Sequence, residues 1–260
     1  MTPPGPSSSP WFRTYHPRPG ARATLVCLPY AGGSASAFFS LSERLPADVQ
    51  VLATQYPGRQ DRMREPCLET VPELARGAFE ELGALVAGRP FALFGHSMGG
   101  AVAFELARLL EREGPAAPRA LFVSGRRAPS ITADRGVRFL DDAGLVDELR
   151  ELEGTDSRIL DEPELLRLVL PAVRADYGAA ETYRTGADAV VGTPVVALTG
   201  DRDPRARTDE VAAWRRHTTG AFDLKVFTGG HFFLTDHEPE IATLVTDTLR
   251  SGVRPGTVAG

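Results

Sequence analysis

Six short apolar runs recur along the chain, at 23–29, 49–53, 91–94, 119–124, 194–199 and 222–227. Each is too short for a helix, holds few charges and ends in glycine, proline or polar residues, the signature of a strand buried on both faces. Between them, apolar residues return every three or four positions. That spacing predicts helices over about 37–45, 70–87, 98–112, 208–217 and 238–250, the second with Val71, Leu74, Phe79, Leu82 and Leu85 on its apolar side. Strands alternating with helices predict an α/β fold, a mostly parallel central sheet with helices on both faces.

The alternation fails between Ser124 and Pro194, where the pattern is helical with no strand. One helix carries Leu145, Val146, Leu149 and Leu152. A second opens at Asp161 and Glu164, spaced like a capping box, and continues with Leu165, Leu166, Val169, Leu170 and Val173. Helices inserted at this point lie above the carboxyl ends of the strands, so a helical lid is expected at about 128–188. The Pro/Ser-rich residues 1–10 and residues 251–260 read as disordered tails, leaving 11–250 as one domain.

The 260 residues suffice for a single large α/β domain, and 42% apolar with 24% charged residues is ordinary for a globular protein. A net charge of -5 argues against nucleic-acid binding. Lys225 is the only lysine, as expected from a GC-rich coding sequence. Cys27 and Cys67 form neither a disulfide framework nor a metal-like spacing, and Cys27 falls within an apolar run as a buried thiol. No stretch is long and apolar enough to cross a membrane, and no signal pattern opens the chain, so a cytoplasmic location is expected.

The run at 91–94 leads into Gly95-His96-Ser97-Met98-Gly99 and then a helix. In that strand–turn–helix context, G-x-S-x-G acts as a nucleophile elbow with Ser97 at its apex. A serine hydroxyl needs a base, and the chain has five histidines. His96 adjoins the elbow with its side chain expected to point away, His16 lies near the N-terminal tail, and His217 ends a surface helix. His231 instead follows Gly229-Gly230 directly after the last strand, where it can swing over the sheet edge. An acid must orient the imidazole, and the loop after Thr199 offers Asp201 and Asp203. Asp203 is favoured because Asp201 is close enough to the strand end to cap the turn or pair with an arginine. The order Ser, Asp, His is that of an α/β-hydrolase. For the oxyanion, Met98 offers one backbone N–H and the loop Tyr30-Ala31-Gly32-Gly33 another, best from Ala31. That loop matches neither the P-loop nor the dinucleotide fingerprint, so no cofactor or metal is implied.

These segments, with Pro29 to Ser34, Tyr56 to Arg62, Leu170 to Asp176, Gly200 to Pro204 and Gly229 to Leu234, resemble the type II (external, editing) thioesterases of polyketide and nonribosomal peptide synthesis, within the α/β-hydrolase superfamily. The likeness runs from about Trp11 to Leu249, and family pattern also places the triad acid at Asp203. It implies a substrate acyl group on the phosphopantetheine arm of an acyl carrier protein, a serine acyl-enzyme mechanism, a lid gating an acyl tunnel, and a monomer. Two rivals fit part of the same pattern: a general carboxylesterase acting on free esters, and an idle module that docks carrier proteins without turnover.

Overall fold

The structure is a computed structural model that describes residues 9–131, 135–152 and 161–251. Seven strands form one sheet: β1 (Phe12–Arg13), β2 (Ala23–Leu28), β3 (Val49–Thr54), β4 (Phe91–His96), β5 (Ala120–Ser124), β6 (Val195–Gly200) and β7 (Phe222–Phe227). Their spatial order is β1-β3-β2-β4-β5-β6-β7, and every pairing is parallel except β1 against β3. The six predicted runs are the six parallel strands. β1 is additional: two residues carry no readable period, and only the pairing of Phe12 with Thr54 and Arg13 with Ala53 defines it.

The helices are α1 (Phe39–Arg44), α2 (Val71–Val86), α3 (Met98–Glu113), α4 (Asp142–Leu152), α5 (Pro163–Thr182), α6 (Thr208–Ala212) and α7 (Glu238–Ser251). A 3-10 turn, Ala35–Phe38, leads into α1, and another, Ala213–His217, continues α6, so the predicted 37–45 and 208–217 helices are each split. α2 and α3 pack on one face of the sheet with Leu74, Leu82, Phe104 and Leu110 in the core. α1 and α7 cover the other, where Phe38, Leu41, Ile241 and Val245 meet Phe94 and Phe122. With both faces covered, β4 is buried from end to end, which is why its sequence shows no polar alternation. This is the α/β-hydrolase arrangement, and it carries the carboxyl ends of β2, β4, β5 and β6 to one rim.

α4 and α5 lie outside both layers and build a small core of their own from Val137, Leu145, Leu149, Leu170 and Val173. The proposed capping box at Asp161 is not formed. The N-cap of α5 is Glu162, with no side-chain cap and proline at the first turn, a position that suits Pro163. Asp161 instead pairs with Arg150 at 3.2 Å. Leu165 is exposed rather than part of the apolar stripe, because the packed face runs through Leu166, Leu170 and Val173, and Leu165, one position before Leu166, points off that face. The expected tails 1–10 and 251–260 fall almost wholly outside the described residues, as do 132–134 and 153–160 of the expected lid. Among the described residues, no helix is long and apolar enough to cross a membrane.

Candidate active site

Ser97 occupies the junction of β4 and α3 with φ 53° and ψ -119°, a backbone state costly for a residue with a side chain. Its N–H donates to the Ser124 carbonyl at 2.7 Å, which pins the turn to β5. The flanking glycines are required by contact. A Cβ on Gly95 would stand 2.0 Å from the Gly99 carbonyl oxygen, and one on Gly99 would stand 2.0 Å from that of Leu28. The hydroxyl is thereby lifted above the rim at the amino end of α3, where helix N–H groups lack intrahelical acceptors.

His231 arrives from the loop after β7. Its Nε2 lies 3.0 Å from Ser97 Oγ, and its Nδ1 lies 3.0 and 2.9 Å from the two carboxylate oxygens of Asp203. Asp203 is buried and also accepts the backbone N–H groups of Arg205 at 2.7 Å and Ala206 at 3.2 Å. Four acceptor contacts hold the carboxylate in one orientation. Asp201 faces the other way and accepts the Gly229 N–H at 2.8 Å, tying the β6 and β7 loops together. An imidazole held between a hydroxyl and a carboxylate in this manner takes up the hydroxyl proton while its cationic form is stabilised.

Two histidines differ from expectation. His96 does not point away from the site: its ring lies 5.2 Å from that of His231, between Tyr30 and Phe232, with Nδ1 3.0 Å from Ser124 Oγ. Burial, followed by the neighbouring His231, holds its pKa well below the ordinary imidazole value. A neutral ring therefore packs beside His231. His217 is not at the surface. It is fully buried and bonded to Ser130 Oγ at 2.8 Å and the Ala189 carbonyl at 2.8 Å.

The loop after β2 turns sharply between Tyr30 and Gly33, whose N–H donates to the Tyr30 carbonyl at 2.9 Å. Gly32 sits at φ +77°, the third turn position that glycine fills without strain. The loop is held from outside. The Gly32 N–H donates to Asp176 of α5 at 2.7 Å, and Arg59 donates to the Gly33 carbonyl at 3.0 Å. Arg59 and Asp176 are joined to each other by two bonds, of 2.6 and 2.9 Å. Burial works against the Arg59 charge, but Asp176 outweighs it and the arginine pKa is raised. Ala31, between these anchors, lines the same chamber as Ser97.

That chamber opens at the Ser97 hydroxyl and is lined by Tyr30, Ala31, Ser97 and His231. α4 contributes Glu148 and Leu152 to its wall, and α5 contributes Tyr177, Ala180 and Glu181.

Residues 23–249 match the thioesterase domain family. The chain belongs to the thioesterase family. It is 53% identical over 239 residues to Thioesterase PikA5 of Streptomyces venezuelae, covering 92% of this chain and 85% of that protein. It is 35% identical over 246 residues to the gramicidin S biosynthesis protein GrsT of Aneurinibacillus migulanus, covering 94% and 96%. Among solved structures, the type II thioesterase BorB from the borrelidin biosynthetic cluster superposes with a TM-score of 0.86 at 46% identity, covering 95% of this chain and 100% of that one. The protein is thus a hydrolase acting on thioesters.

In this thioesterase the structure brings Ser97, His231, Asp203, Met98 and Ala31 to one rim, while Asp201 stands aside. Three further residues at the site carry no role in the sequence reading. Arg59 and Asp176 lie within segments recognisable by resemblance, yet nothing in their spacing says that they meet. Arg126 lines the chamber from the loop after β5. The only signal for it was a pair of arginines, Arg126-Arg127, directly beyond a buried strand.

Proposed function

We propose that this thioesterase edits a polyketide or nonribosomal peptide assembly line, releasing stalled acyl groups from the phosphopantetheine arm of acyl carrier proteins. The observation that carries the reading is the continuous line from Asp203 through His231 to Ser97 Oγ at the floor of the chamber. His231 Nε2 takes the proton of Ser97 as Oγ attacks the thioester carbonyl. The N–H groups of Met98 and Ala31 receive the negative charge that develops on the carbonyl oxygen. The C–S bond then breaks, and the leaving thiolate takes the proton from His231. Water enters, gives its proton to the same nitrogen and attacks the acyl carbon. The C–Oγ bond breaks, Oγ regains the proton, and the carboxylic acid departs.

α4 and α5 serve as the lid in this scheme. They wall the chamber that holds Ser97 and His231, and α5 is tied to the loop after β2 through Asp176. Two of the relatives named above are described as a gramicidin S biosynthesis protein and as a type II thioesterase of the borrelidin biosynthetic cluster, which supports a carrier-bound acyl group as the substrate.

The test is to load a phosphopantetheinylated carrier protein with an acyl group and follow the intact carrier mass. The wild-type protein returns the free thiol form. Ser97→Ala leaves the carrier acylated while retaining the wild-type melting temperature. Turnover by Ser97→Ala would remove the mechanism, and a wild-type protein inert toward the acyl carrier would remove the substrate assignment.

A further inference from the structure

The chamber wall carries a guanidinium that the hydrolytic mechanism does not use. Arg126 follows Gly125 in the loop after β5. Its carbonyl accepts the Trp214 indole N–H at 2.7 Å, and its Cβ packs against Gly100 in the first turn of α3, where an added Cβ would stand 3.2 Å away. The base of the side chain is therefore fixed close to the elbow. At its tip, Nη2 donates to the Ala180 carbonyl of α5 at 2.9 Å, and the residue lines the same chamber as Ser97 and His231. A guanidinium has five N–H donors, so one such bond leaves most of them to be satisfied from the chamber.

No carboxylate among the described residues is available to neutralise it. Glu148, on the chamber wall, is 2.5 Å from Arg205. Glu181 accepts the N–H groups of Val137 at 3.0 Å and Arg138 at 3.1 Å, and the Arg138 guanidinium at 3.0 Å. Burial and the neighbouring Arg127 lower the Arg126 pKa to about 10, so it stays cationic at neutral pH. A charge in a chamber wall with no carboxylate counter-ion among the described residues opposes folding, and its persistence in a ligand chamber points to use. A plain alkyl chain entering here would displace water from the guanidinium and give nothing back. A chain with an acceptor oxygen would replace that water with a charge-assisted hydrogen bond.

We propose that Arg126 selects the acyl group, favouring thioesters whose chain carries an acceptor oxygen beyond the carbonyl, such as 3-oxoacyl groups, over unsubstituted alkyl chains. The inference rests on the thioesterase reading and specifies the substrate class for the same chamber. Rigid donors built for an oxygen reject the analogue that lacks it far more strongly than an apolar pocket rejects a missing methylene.

The experiment compares kcat/KM for 3-oxobutanoyl and butanoyl thioesters of pantetheine, which match in chain length and differ in the oxygen. The quantity read is the ratio of the two, in the wild type and in Arg126→Met. Intrinsic reactivity cancels when these ratios are compared. The ratio falls about tenfold or more in Arg126→Met, and Arg126→Lys, which keeps the charge but loses the planar fork, lies between. The lysine variant also provides the comparison if the methionine variant does not fold. A ratio within about twofold of wild type in the variants that fold would overturn the proposal. A wild-type protein that cleaves neither thioester would overturn the thioesterase reading and the proposal with it.

Discussion

Arg59 and Asp176, 117 positions apart in the chain, meet as a buried two-pronged ion pair against the loop that carries Ala31. The pair spans three elements. Arg59 comes from the loop beyond β3 and Asp176 from α5; Arg59 also donates to the Gly33 and Pro57 carbonyls, and Asp176 accepts the Gly32 N–H. The turn that holds Ala31 is thus set by the same contact that attaches α5. Both are positioning residues, since neither touches the reacting atoms.

Removing one partner strands the other's charge in the interior, so Asp176→Asn and Arg59→Met each cost about 3 kcal/mol or more of stability. The double variant Arg59→Met/Asp176→Leu recovers much of that loss in urea unfolding. It does not recover kcat, which stays about tenfold or more below wild type because the loop has lost its external bonds. Recovery of both would make the pair purely structural.

Asp203 and Asp201 separate cleanly by function. Asp203→Asn retains the shape but presents His231 in the wrong tautomer, and kcat falls by about 10⁴, the size of the effect where such an acid has been neutralised in a serine protease. Asp201→Asn keeps an oxygen that accepts the Gly229 N–H and loses only the charge, and kcat changes by less than about threefold. Single-turnover release from an acylated carrier measures both.

The elbow glycines admit no side chain. A Cβ at Gly95 or Gly99 would lie 2.0 Å from backbone oxygen, so Gly95→Ala and Gly99→Ala each lose about 3 kcal/mol or more. Gly178 is the control. It lies within α5 with nothing within 4 Å of an added Cβ, so Gly178→Ala raises stability by up to about 1 kcal/mol through helix propensity. Urea midpoints read all three.

His96 makes stability depend on pH. Its folded-state pKa is depressed by burial and then by His231, so the unfolded chain binds the extra proton first. Stability is complete above the unfolded value near 6.5 and declines as pH falls below it, by up to about 1.4 kcal/mol per pH unit. His217, lowered by burial as well, adds in the same direction. His96→Asn therefore flattens the dependence of unfolding free energy between about pH 6.5 and 5. An unchanged slope would show that His96 does not stay neutral.

What the sequence made legible follows from the range over which each signal acts. The parallel strands are apolar throughout because both faces are covered, and a run such as Phe91–Phe94 announces itself locally. So does the elbow through its strand–turn–helix pattern, although only Gly95 is required by a contact a few residues away, Gly99, while Gly99 itself is required by Leu28 of the neighbouring strand. β1 exists only through its pairing with β3. His217 looked like the polar end of a surface helix because its partners, Ser130 and Ala189, are distant in sequence. The same is true of Arg59 and Asp176, whose meeting no periodicity or spacing rule encodes. Arg126 was hidden differently: an arginine in a loop is ordinary, and only its place in the chamber wall and the absence of a carboxylate counter-ion among the described residues make it unusual.

The most direct test presents one acyl group in three forms: on a phosphopantetheinylated carrier protein, on free pantetheine, and as a simple oxygen ester. A carrier-editing thioesterase releases it from the carrier protein with kcat/KM at least about tenfold above the pantetheine thioester, and cleaves the oxygen ester slowest. Equal or faster cleavage of the oxygen ester would contradict the editing role and leave a general esterase in its place.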